Sequence, residues 1–393
     1  MFIEIHGEGF RNKGAELMLG TLLMELQRRI PGVLCCRRPE APYPQMCEYG
    51  LLPILTYGSR HAEGVFSHWC GKMISRLISR RQLRRHNLVR ADEVNTFLDI
   101  SDCAFGDKIE IRYLQLLEAK AAADARRGKP VLLLPQMFGP FEKSGYREAF
   151  RSAMRQVDVA YARERVSHAC AAAAMDDPSR LKLAPDITIF AEPTPNDFAG
   201  VPENPFACIV PNQRMVTVGA AEWGGKYLDL LLGAAREILR QDLDVLLIIH
   251  ETSGADEELA RQVAAVLDAG SRVRIVNEPQ PLRLKALFWK SRLLVSSRYH
   301  GIVSALSGGT PSILLGWAHK YEELAADFGV TECVFHASDP PERMIELTRA
   351  LLMDDPAMRR KCLGERKQLL RHQNESMWMD IVKRLNVAAT GQN

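Results

Sequence analysis

Short apolar runs, each four or five residues long, alternate along this chain with longer segments in which apolar residues recur every three or four positions. Runs this short that are rich in Val, Ile and Leu are typical of strands buried on both faces of a parallel sheet. We predict such strands at residues 2–6, 131–134, 159–162, 187–190, 207–210, 245–249, 273–276, 293–296 and 312–315.

The segments between these strands have the apolar spacing of helices. We predict helices at residues 14–29, 113–127, 143–157, 164–175, 225–241, 255–268, 282–290 and 300–308, with consecutive polar helices after about residue 343. Strands that alternate with helices indicate parallel sheets joined by right-handed crossovers. The predicted fold class is therefore α/β, with two Rossmann-like domains facing a cleft (GT-B-like) and parallel sheets flanked by helices. Ligands of such sheets bind at the carboxyl ends of the strands, which places the expected site in the cleft.

The segment AEPTPNDFAGVPENP, residues 191–205, is rich in Pro, Gly, Asn and acidic residues. This composition continues neither a helix nor a central strand, so we interpret the segment as the linker between two domains. The predicted domains are residues 1–195 and 196–345. A C-terminal segment, residues 346–393, is expected to be helical and to pack back across both domains.

Composition supports an ordinary folded protein with two domains. The 393 residues exceed what one hydrophobic core usually organises, and 47% hydrophobic with 25% charged residues is a globular composition. The net charge of +3 is small, and no arginine-rich or aromatic RNA-binding motif accompanies it, so no nucleic-acid partner is expected.

The cysteines and the N-terminal segment predict where the protein works. Nine scattered cysteines without a CxxC pair indicate reduced thiols and argue against a zinc site, and no other His, Cys or carboxylate spacing indicates a metal. The first residues lack the basic and apolar regions of a signal peptide, and no apolar run is long enough to span a bilayer. We therefore expect a cytoplasmic protein without a bound metal.

The strongest chemical signal lies in LLVSSRYHGIVSALSGGTPSILLGWAHKYEEL, residues 293–324. A predicted strand ends there, and Arg298 and His300 follow at its carboxyl end, before a helix. The planar guanidinium of Arg298 can hold a phosphate or carboxylate at two points, and His300 can exchange protons near neutral pH. The helix N-terminus also favours an anion. In the simpler interpretation, Arg298 pairs with an acidic neighbour and His300 caps the helix.

A second candidate segment is HGEGFRNKGAELML, residues 6–19. A strand is followed there by a glycine-containing loop that allows close approach of a ligand, and a helix begins near Lys13. Asn12, Lys13 and Glu16 are candidate ligand contacts. Alternatively, Asn12 only caps the helix and Glu16 complements its first turn.

The segments NKGAELML and SSRYHGIVSALSGGTPSI, with Lys320 after them, resemble the polysaccharide pyruvyl transferase family. LLLPQMFGP (132–140), YARERVS (161–167) and LAPDITIF (183–190) match the family more loosely and in the same order, so the resemblance covers both domains. The chain departs from the family at LDISDCAFGD, residues 98–107, where the family has a glycine-rich turn. Residues 101–103 stand where glycines are expected, which leaves open whether this loop contacts a ligand.

The resemblance implies an enzyme that uses phosphoenolpyruvate as donor substrate, without a cofactor, and attaches pyruvate to a sugar as a ketal. The acceptor is then a polysaccharide or lipid-linked glycan, with the N-terminal domain as its expected side and the C-terminal domain as the donor side. In this interpretation, Arg298 clamps an anionic group and His300 is the general acid or a phosphate ligand.

Four further residues are candidates for substrate binding under the same resemblance. Arg163 would be a second anion clamp, or it forms an ion pair with Glu164 or Asp186. Asp186 could position His300 or activate a hydroxyl, or it caps a loop. His250 could contact either substrate, or it is a satisfied histidine at a strand end. Lys320 could add a positive charge, although a solvated lysine is the preferred interpretation.

Residues 75–90, SRLISRRQLRRHNLVR, contain six arginines interleaved with Leu and Ile. As a helix, this segment would be basic and partly amphipathic, which suits peripheral contact with an anionic membrane at its inner face. The alternative is a solvated charged helix.

Two other functions remain open. The first is a nucleotide-sugar-dependent GT-B glycosyltransferase, which commonly carries a glutamate near the end of the helix after His300; here no acidic residue lies between His300 and Pro311. The second is a non-catalytic glycan-binding relative, which the altered loop at 101–103 would favour.

Overall fold

The computed structural model describes residues 1–7, 9–38, 43–55, 78–194, 201–316 and 318–390. The chain forms two compact units, the first of residues 1–10, 18–184 and 375–393 and the second of residues 11–17 and 185–374. The boundary predicted between residues 195 and 196 falls outside the described residues, so its position stays a prediction.

A parallel sheet of eight strands forms the centre of the first unit. Its strands are β1 (Phe2–His6), β2 (Leu34–Arg37), β3 (Leu52–Leu55), β4 (Val89–Arg90), β5 (Thr96–Asp99), β6 (Val131–Gln136), β7 (Val159–Ala162) and β8 (Leu181–Leu183). Its helices are α1 (Lys13–Arg29, from residue 18), α2 (Tyr43–Glu48), α3 (Arg80–Arg85), α4 (Arg112–Ala125), α5 (Tyr146–Met154) and α6 (Arg165–Ala174), with the last part of the C-terminal helix.

The strand order of this first sheet is β4-β3-β2-β1-β5-β6-β7-β8. The order therefore reverses between β1 and β5, whose last residues, His6 and Asp99, are register partners. Ligands of open α/β sheets bind at the carboxyl ends of the strands at such a switch point. Burial on both faces of the sheet explains why the central strands are continuous apolar runs, and all six residues of β6 are buried.

The second unit has a parallel sheet of six strands in the order β11-β10-β9-β12-β13-β14. The strands are β9 (Phe206–Val210), β10 (Asp244–Ile248), β11 (Val273–Val276), β12 (Leu294–Ser296), β13 (Ser312–Leu315) and β14 (Val334–Phe335). The helices are α7 (Ala220–Trp223), α8 (Tyr227–Arg240), α9 (Ala255–Leu267), α10 (Pro281–Lys290), α11 (Tyr299–Ser307), α12 (Lys320–Phe328), α13 (Pro341–Met353) and most of α14 (Pro356–Thr390).

The switch point of the second sheet lies between β9 and β12, which pair directly. Helix α11 follows β12, and every one of its residues is buried. Small residues at positions 301, 304, 305 and 307 allow this helix to lie close to the sheet. The loop between β12 and α11 is therefore held at the edge of the sheet where a ligand is expected.

The predicted strands and helices are present to within a few residues, with one exception. Residues Ile187–Phe190, predicted as a strand, form a short 3₁₀ helix. The side chain of Asp186 accepts hydrogen bonds from the backbone nitrogen and the hydroxyl of Thr188, at 2.8 and 2.5 Å. The prediction was wrong because this local cap turns the backbone before it can pair with a sheet. The short strands β2, β3, β4, β5, β8 and β14 were not among the predicted ones.

The basic segment at 75–90 is not one continuous helix over its described part, residues 78–90. Helix α3 covers only six residues and is followed by β4. Arg84 donates to Glu93 at 2.7 Å, and Arg90 donates to Asp92 at 2.8 Å. Intramolecular ion pairs thus use part of the charge, and contact with anionic lipid stays a prediction. Within the described residues, none of the helices combines the length and the apolar character needed to cross a bilayer.

Candidate functional site

Arg298 lies at the switch point of the second sheet, two residues after β12, and is the N-cap residue of α11. Its side chain is only 8% exposed, and its Nη2 donates to both carboxylate oxygens of Asp256, at 2.5 and 2.6 Å. The simpler interpretation, pairing with an acidic residue, therefore holds for part of the guanidinium. Its Nε is buried and has no hydrogen-bond partner within the described residues, so the hydrogen on Nε makes no hydrogen bond to them.

Asp256, which the sequence prediction did not select, lies in the first turn of α9 and is fully buried. Burial raises the pKa of this carboxyl, and the charge of Arg298 opposes that effect. The backbone nitrogen of Gln213 also donates to it, at 3.0 Å. The carboxylate thus fixes where the guanidinium lies. A carboxylate in the first helical turn after β10 was the available sequence signal.

His300 is the second residue of α11 and 4% exposed, so it does not cap the helix. Its Nε2 lies 3.4 Å from Oδ2 of Asp186, an ion-pair distance, but Nε2 has no hydrogen-bond partner among the residues described. A side chain at Gly14 would place its Cβ 2.3 Å from Nδ1 of His300, so the first turn of α1 packs directly on the ring.

The turn that carries Asp186 is held by a second residue that the sequence prediction missed, Lys285 of α10. Its Nζ donates to the carbonyl of Thr188 at 2.6 Å. Lys285 is fully buried, and burial lowers its pKa to about 7, with the charge of Lys367 acting in the same direction. Asp186 therefore has the predicted capping role, and it also faces His300. A lysine inside the apolar run PLRLKALFW was the signal for Lys285.

His250 follows β10 and is 3% exposed. Burial lowers the pKa of His250 well below its ordinary value, and the positive charges of Arg298, His300 and Lys13 act in the same direction. Its Nδ1 is buried and makes no hydrogen bond to any described residue. His250 thus lies among three positive or protonatable side chains, and its imidazole is held neutral there.

The N-terminal candidates Asn12, Lys13 and Glu16 belong to the second unit, which includes residues 11–17. Oδ1 of Asn12 accepts a hydrogen bond from the nitrogen of Gly14 at 2.9 Å, so Asn12 caps α1 as in the simpler interpretation. The backbone nitrogen of Lys13 donates to the carbonyl of His250 at 3.0 Å. Its Nζ donates to Glu16 at 3.1 Å and to the carbonyl of Pro279 at 2.5 Å. These contacts bring the charge of Lys13 next to His250.

Lys320 is the first residue of α12 and only 4% exposed. Its Nζ lies 4.9 Å from the ring centre of Tyr299 and 5.9 Å from that of Tyr321. The preferred sequence interpretation, a solvated lysine, was wrong because two aromatic rings cover the ammonium group. Lys320 therefore contributes a buried positive charge beside the residue that precedes His300.

Ser297, the residue before Arg298, is held from several sides. Its carbonyl accepts hydrogen bonds from Nδ2 of Asn212 at 3.0 Å and from the hydroxyl of Tyr321 at 2.8 Å. Its hydroxyl lies 2.7 Å from the hydroxyl of Tyr227. This buried network fixes the backbone that presents the guanidinium and the imidazole. The sequence prediction missed it, since its members lie far apart in the chain.

Arg163 belongs to the first unit. It is buried, and its Nη1 donates to Asp102 at 2.6 Å while its Nε lies 3.4 Å from Glu164. The predicted ion pair with Glu164 is therefore present, and Asp102 is a further partner of Arg163. Asp102 has φ of 58°, a conformation that favours glycine but that aspartate tolerates. The altered loop at 101–103 thus adopts a glycine-like turn and holds an arginine.

Three buried nitrogens of the second unit, Nε of Arg298, Nε2 of His300 and Nδ1 of His250, have no hydrogen-bond partner in the described part of the chain. Nearly all buried polar groups in folded proteins have a partner in the protein or in ordered water, so these three nitrogens are available to a polar ligand or to water. Lys13 and Lys320 add positive charge, so an anion fits. The described residues contain no group of three or more His, Cys, Asp and Glu placed to hold a metal ion.

The buried neutral His250 should make stability depend on pH. Its pKa is about 6.5 in the unfolded chain and well below that in the fold. Below about pH 6.5 the unfolded chain therefore binds a proton that the folded chain does not, and the free energy of unfolding falls by up to about 1.4 kcal/mol per pH unit. We expect H250Q to lose less stability than the wild type between pH 6.5 and 5.0 in urea unfolding. Parallel stability curves for the two proteins would contradict this, and H336Q, at an exposed histidine, is the matched control.

The polysaccharide pyruvyl transferase family matches residues 67–319, more than half of the chain. No curated protein matches this chain. A solved structure of Anabaena Alr3699/HepE in complex with UDP-glucose is similar over 100% of both chains, with 13% identity and a TM-score of 0.59. UDP-GlcNAc 2-epimerase from Neisseria meningitidis, bound to UDP-GlcNAc, is similar over 95% of this chain and 99% of its own, with 11% identity and a TM-score of 0.57.

At these identities the solved structures bear on the fold alone, and they support two Rossmann-like domains of the GT-B-like class. The family match includes Arg298, His300, Asp186 and His250, and it also includes Arg163 of the first unit. The fold, the order of the motifs and this match agree. The chain belongs to the polysaccharide pyruvyl transferase family.

Proposed function

We propose that this protein transfers pyruvate from phosphoenolpyruvate to a sugar of a polysaccharide or lipid-linked glycan and forms a ketal. The observation that carries the proposal is the cluster of three buried nitrogens without partners, on Arg298, His300 and His250, beside the charge of Lys13. Phosphoenolpyruvate carries a phosphate and a carboxylate, and such a ligand would accept hydrogen bonds from these nitrogens and offset the mutual repulsion of the positive groups.

Each residue has a defined part in this proposal. Nε of Arg298 donates to an anionic group of the donor, while Asp256 keeps the guanidinium in place. His300, supported by Asp186, gives its proton to the methylene carbon of the donor. His250 is neutral, so its ring can donate a hydrogen bond without adding charge. Lys320 adds a positive charge from the start of α12.

The bonds and protons of the reaction balance. The π electrons of the enol take the proton of His300 to make a methyl group, and the adjacent carbon becomes an oxocarbenium-like centre. A sugar hydroxyl attacks that carbon, phosphate leaves with the electron pair of its C–O bond, and the second hydroxyl closes the ketal. Of the two protons released by the hydroxyls, one replaces the proton of His300 and the other is carried away by phosphate.

A phosphate-release assay with phosphoenolpyruvate, run across free and lipid-linked glycans, tests this function. We expect release that requires an acceptor and a ketal product in equal amount, unchanged by a metal chelator. A matched screen with nucleotide sugars runs alongside. Release of a nucleoside diphosphate from those sugars, with no release of phosphate from phosphoenolpyruvate, would contradict the proposal.

The main alternative is a nucleotide-sugar enzyme, because the similar solved structures contain UDP or UDP-sugars. A ribose is commonly held by a carboxylate, and the stretch from residue 301 to residue 310, GIVSALSGGT, has none. Helix α11 covers most of that stretch. Its residues are buried and none of them is acidic, so the helix presents no carboxylate to a nucleoside. This composition favours the pyruvyl transfer reaction.

A further inference from the structure

Helix α10 is hydrogen-bonded to two elements of the second unit, the turn at Ile187–Phe190 and helix α11. Nζ of Lys285 donates to the carbonyl of Thr188 in the turn, at 2.6 Å. Four positions later in α10, Nε1 of Trp289 donates to the carbonyl of Ser304 in α11, at 2.8 Å. Residues four apart lie on the same face of a helix. One face of α10 therefore holds both the turn and the helix.

The contact between α10 and the end of α11 is tight. A Cβ at Gly308, the residue directly after α11, would overlap the indole ring of Trp289. Any larger residue there would displace the indole, so glycine allows it to cover the end of the helix. The carbonyl of Ser304 also accepts from the hydroxyl of Ser307, at 3.0 Å. Helix α11, which carries the imidazole of His300, is thus fixed against α10.

Thr188 connects Lys285 to the carboxylate of Asp186. Its carbonyl accepts from Lys285, and its nitrogen and hydroxyl both donate to Oδ1 of Asp186, at 2.8 and 2.5 Å. The other carboxylate oxygen, Oδ2, lies 3.4 Å from Nε2 of His300. All four residues are buried and belong to the second unit. The position of Oδ2 relative to the imidazole therefore depends on where Lys285 holds Thr188.

The amine of Lys285 is not explained by packing. It is fully buried, and no carboxylate of the described residues lies within ion-pair distance of it. Burial lowers its pKa to about 7, with the charge of Lys367 in the same direction and those of Asp186 and Glu192 opposed. A buried ammonium group without an ion pair destabilises a fold, whereas an apolar side chain of the same length does not. The turn that the amine holds is therefore the reason for a lysine here.

We infer that Lys285 is a positioning residue, which sets the distance between the carboxylate of Asp186 and the imidazole of His300. The inference rests on the proposed function, in which His300 gives its proton to the donor. In this role Lys285 does not touch the substrate. Without its amine, the carbonyl of Thr188 loses its donor, the cap around Asp186 relaxes and Oδ2 moves away from Nε2. The imidazole then loses the contact that orients it.

Kinetics of K285M test this role, because methionine keeps an unbranched side chain and removes the amine. We expect kcat for phosphate release to fall about 10²-fold, the effect of a misplacement of about an ångström. The dissociation constant of phosphoenolpyruvate, measured by calorimetry, should stay the same. K290M, at an exposed lysine of the same helix, is the matched control and should keep its rate. A folded K285M with wild-type kcat would overturn the inference.

The H300A background separates positioning from a general structural role. If Lys285 acts through the imidazole, K285M should leave the residual rate of H300A unchanged, whereas a loss of folded protein would lower both rates by the same factor. A further loss of about 10²-fold in the double variant would contradict positioning.

T188V tests the same cap and leaves the buried amine in place. It removes the hydroxyl that donates to Oδ1 of Asp186. We expect kcat to fall by about 10-fold, less than in K285M, because the backbone donor of the cap remains. This variant decides the question if K285M does not fold, and a wild-type rate in T188V would count against the inference.

Two measurements do not depend on the reaction. In a crystal structure of K285M, Oδ2 of Asp186 should lie further than 3.4 Å from Nε2 of His300, and an unchanged distance would refute the positioning role. In urea, the wild type should gain stability relative to K285M between about pH 7 and 9.5, because there the unfolded chain keeps the proton of Lys285 and the folded chain loses it. A stability difference that is independent of pH would show that the amine is not held as described. A wild type that releases no phosphate with any acceptor would instead overturn the proposed function.

Discussion

Replacement of His300 by alanine should lower kcat for phosphate release from phosphoenolpyruvate by about 10⁴-fold, the upper end of what a general acid contributes. The imidazole faces Asp186, whose Oδ2 lies 3.4 Å from Nε2. In the proposed reaction, the methylene carbon of phosphoenolpyruvate would then lose its positioned proton source. We expect the far-ultraviolet circular dichroism of H300A to match the wild type, because helix α11 keeps its other buried contacts.

The control for this variant is H336A. His336 lies in the same unit, but its side chain is 52% exposed and its Nδ1 is 3.9 Å from Glu322. Its rate should stay within about twofold of the wild type, as for most surface substitutions. H300A that is folded and retains a tenth or more of the wild-type rate would show that the proton comes from another group.

Replacement of Gly14 by alanine should lower kcat by about 10² to 10³-fold, although Gly14 carries no chemical group. The added Cβ would lie 2.3 Å from Nδ1 and 2.7 Å from Cγ of His300, so the ring must move by about an ångström. A misplacement of that size costs about 10²-fold in rate. Alanine is also the better helix former by about 1 kcal/mol, so a loss of activity would not come from a weaker α1.

Gly20 provides a matched control within the same helix. A Cβ at Gly20 meets its nearest atom, Cε1 of Tyr49, at 3.7 Å, which is ordinary contact. G20A should therefore keep the wild-type rate, and its melting temperature should be equal to that of the wild type or higher, because alanine is the better helix former. If G14A were as active as G20A, the packing of α1 on His300 would not matter for the reaction. A crystal structure of G14A would show directly whether the ring has shifted.

The sequence was most informative where apolar periodicity and chemistry coincide. The apolar run before Ser297 predicted β12, and the small residues after it predicted a helix packed closely on a sheet. Since ligands bind at the carboxyl ends of parallel strands, Arg298 and His300 could be selected from this pattern alone. The same logic placed His250 after β10. These assignments depend on residues close together in the chain, so local pattern was sufficient.

The partners of these residues could not be predicted in the same way. Asp256 is separated from Arg298 by 42 positions, and Lys285 from Thr188 by 97. No spacing rule connects such residues, because their contact depends on strand order and helix packing. At Ile187–Phe190 the local pattern itself was misleading. The apolar run there is typical of a strand, but the side chain of Asp186 caps the segment as a 3₁₀ helix.

The sequence by itself therefore determined that this is an α/β protein of the pyruvyl transferase type with an arginine and a histidine at a strand end. Hydrophobic periodicity and residue chemistry are local properties, because they depend on residues that are close together in the chain. Only the tertiary structure decided which nitrogens are left without partners, that Lys320 is buried, and that His6 meets Asp99. Those outcomes follow from burial and from the order of strands in a sheet, which arise when distant segments pack together.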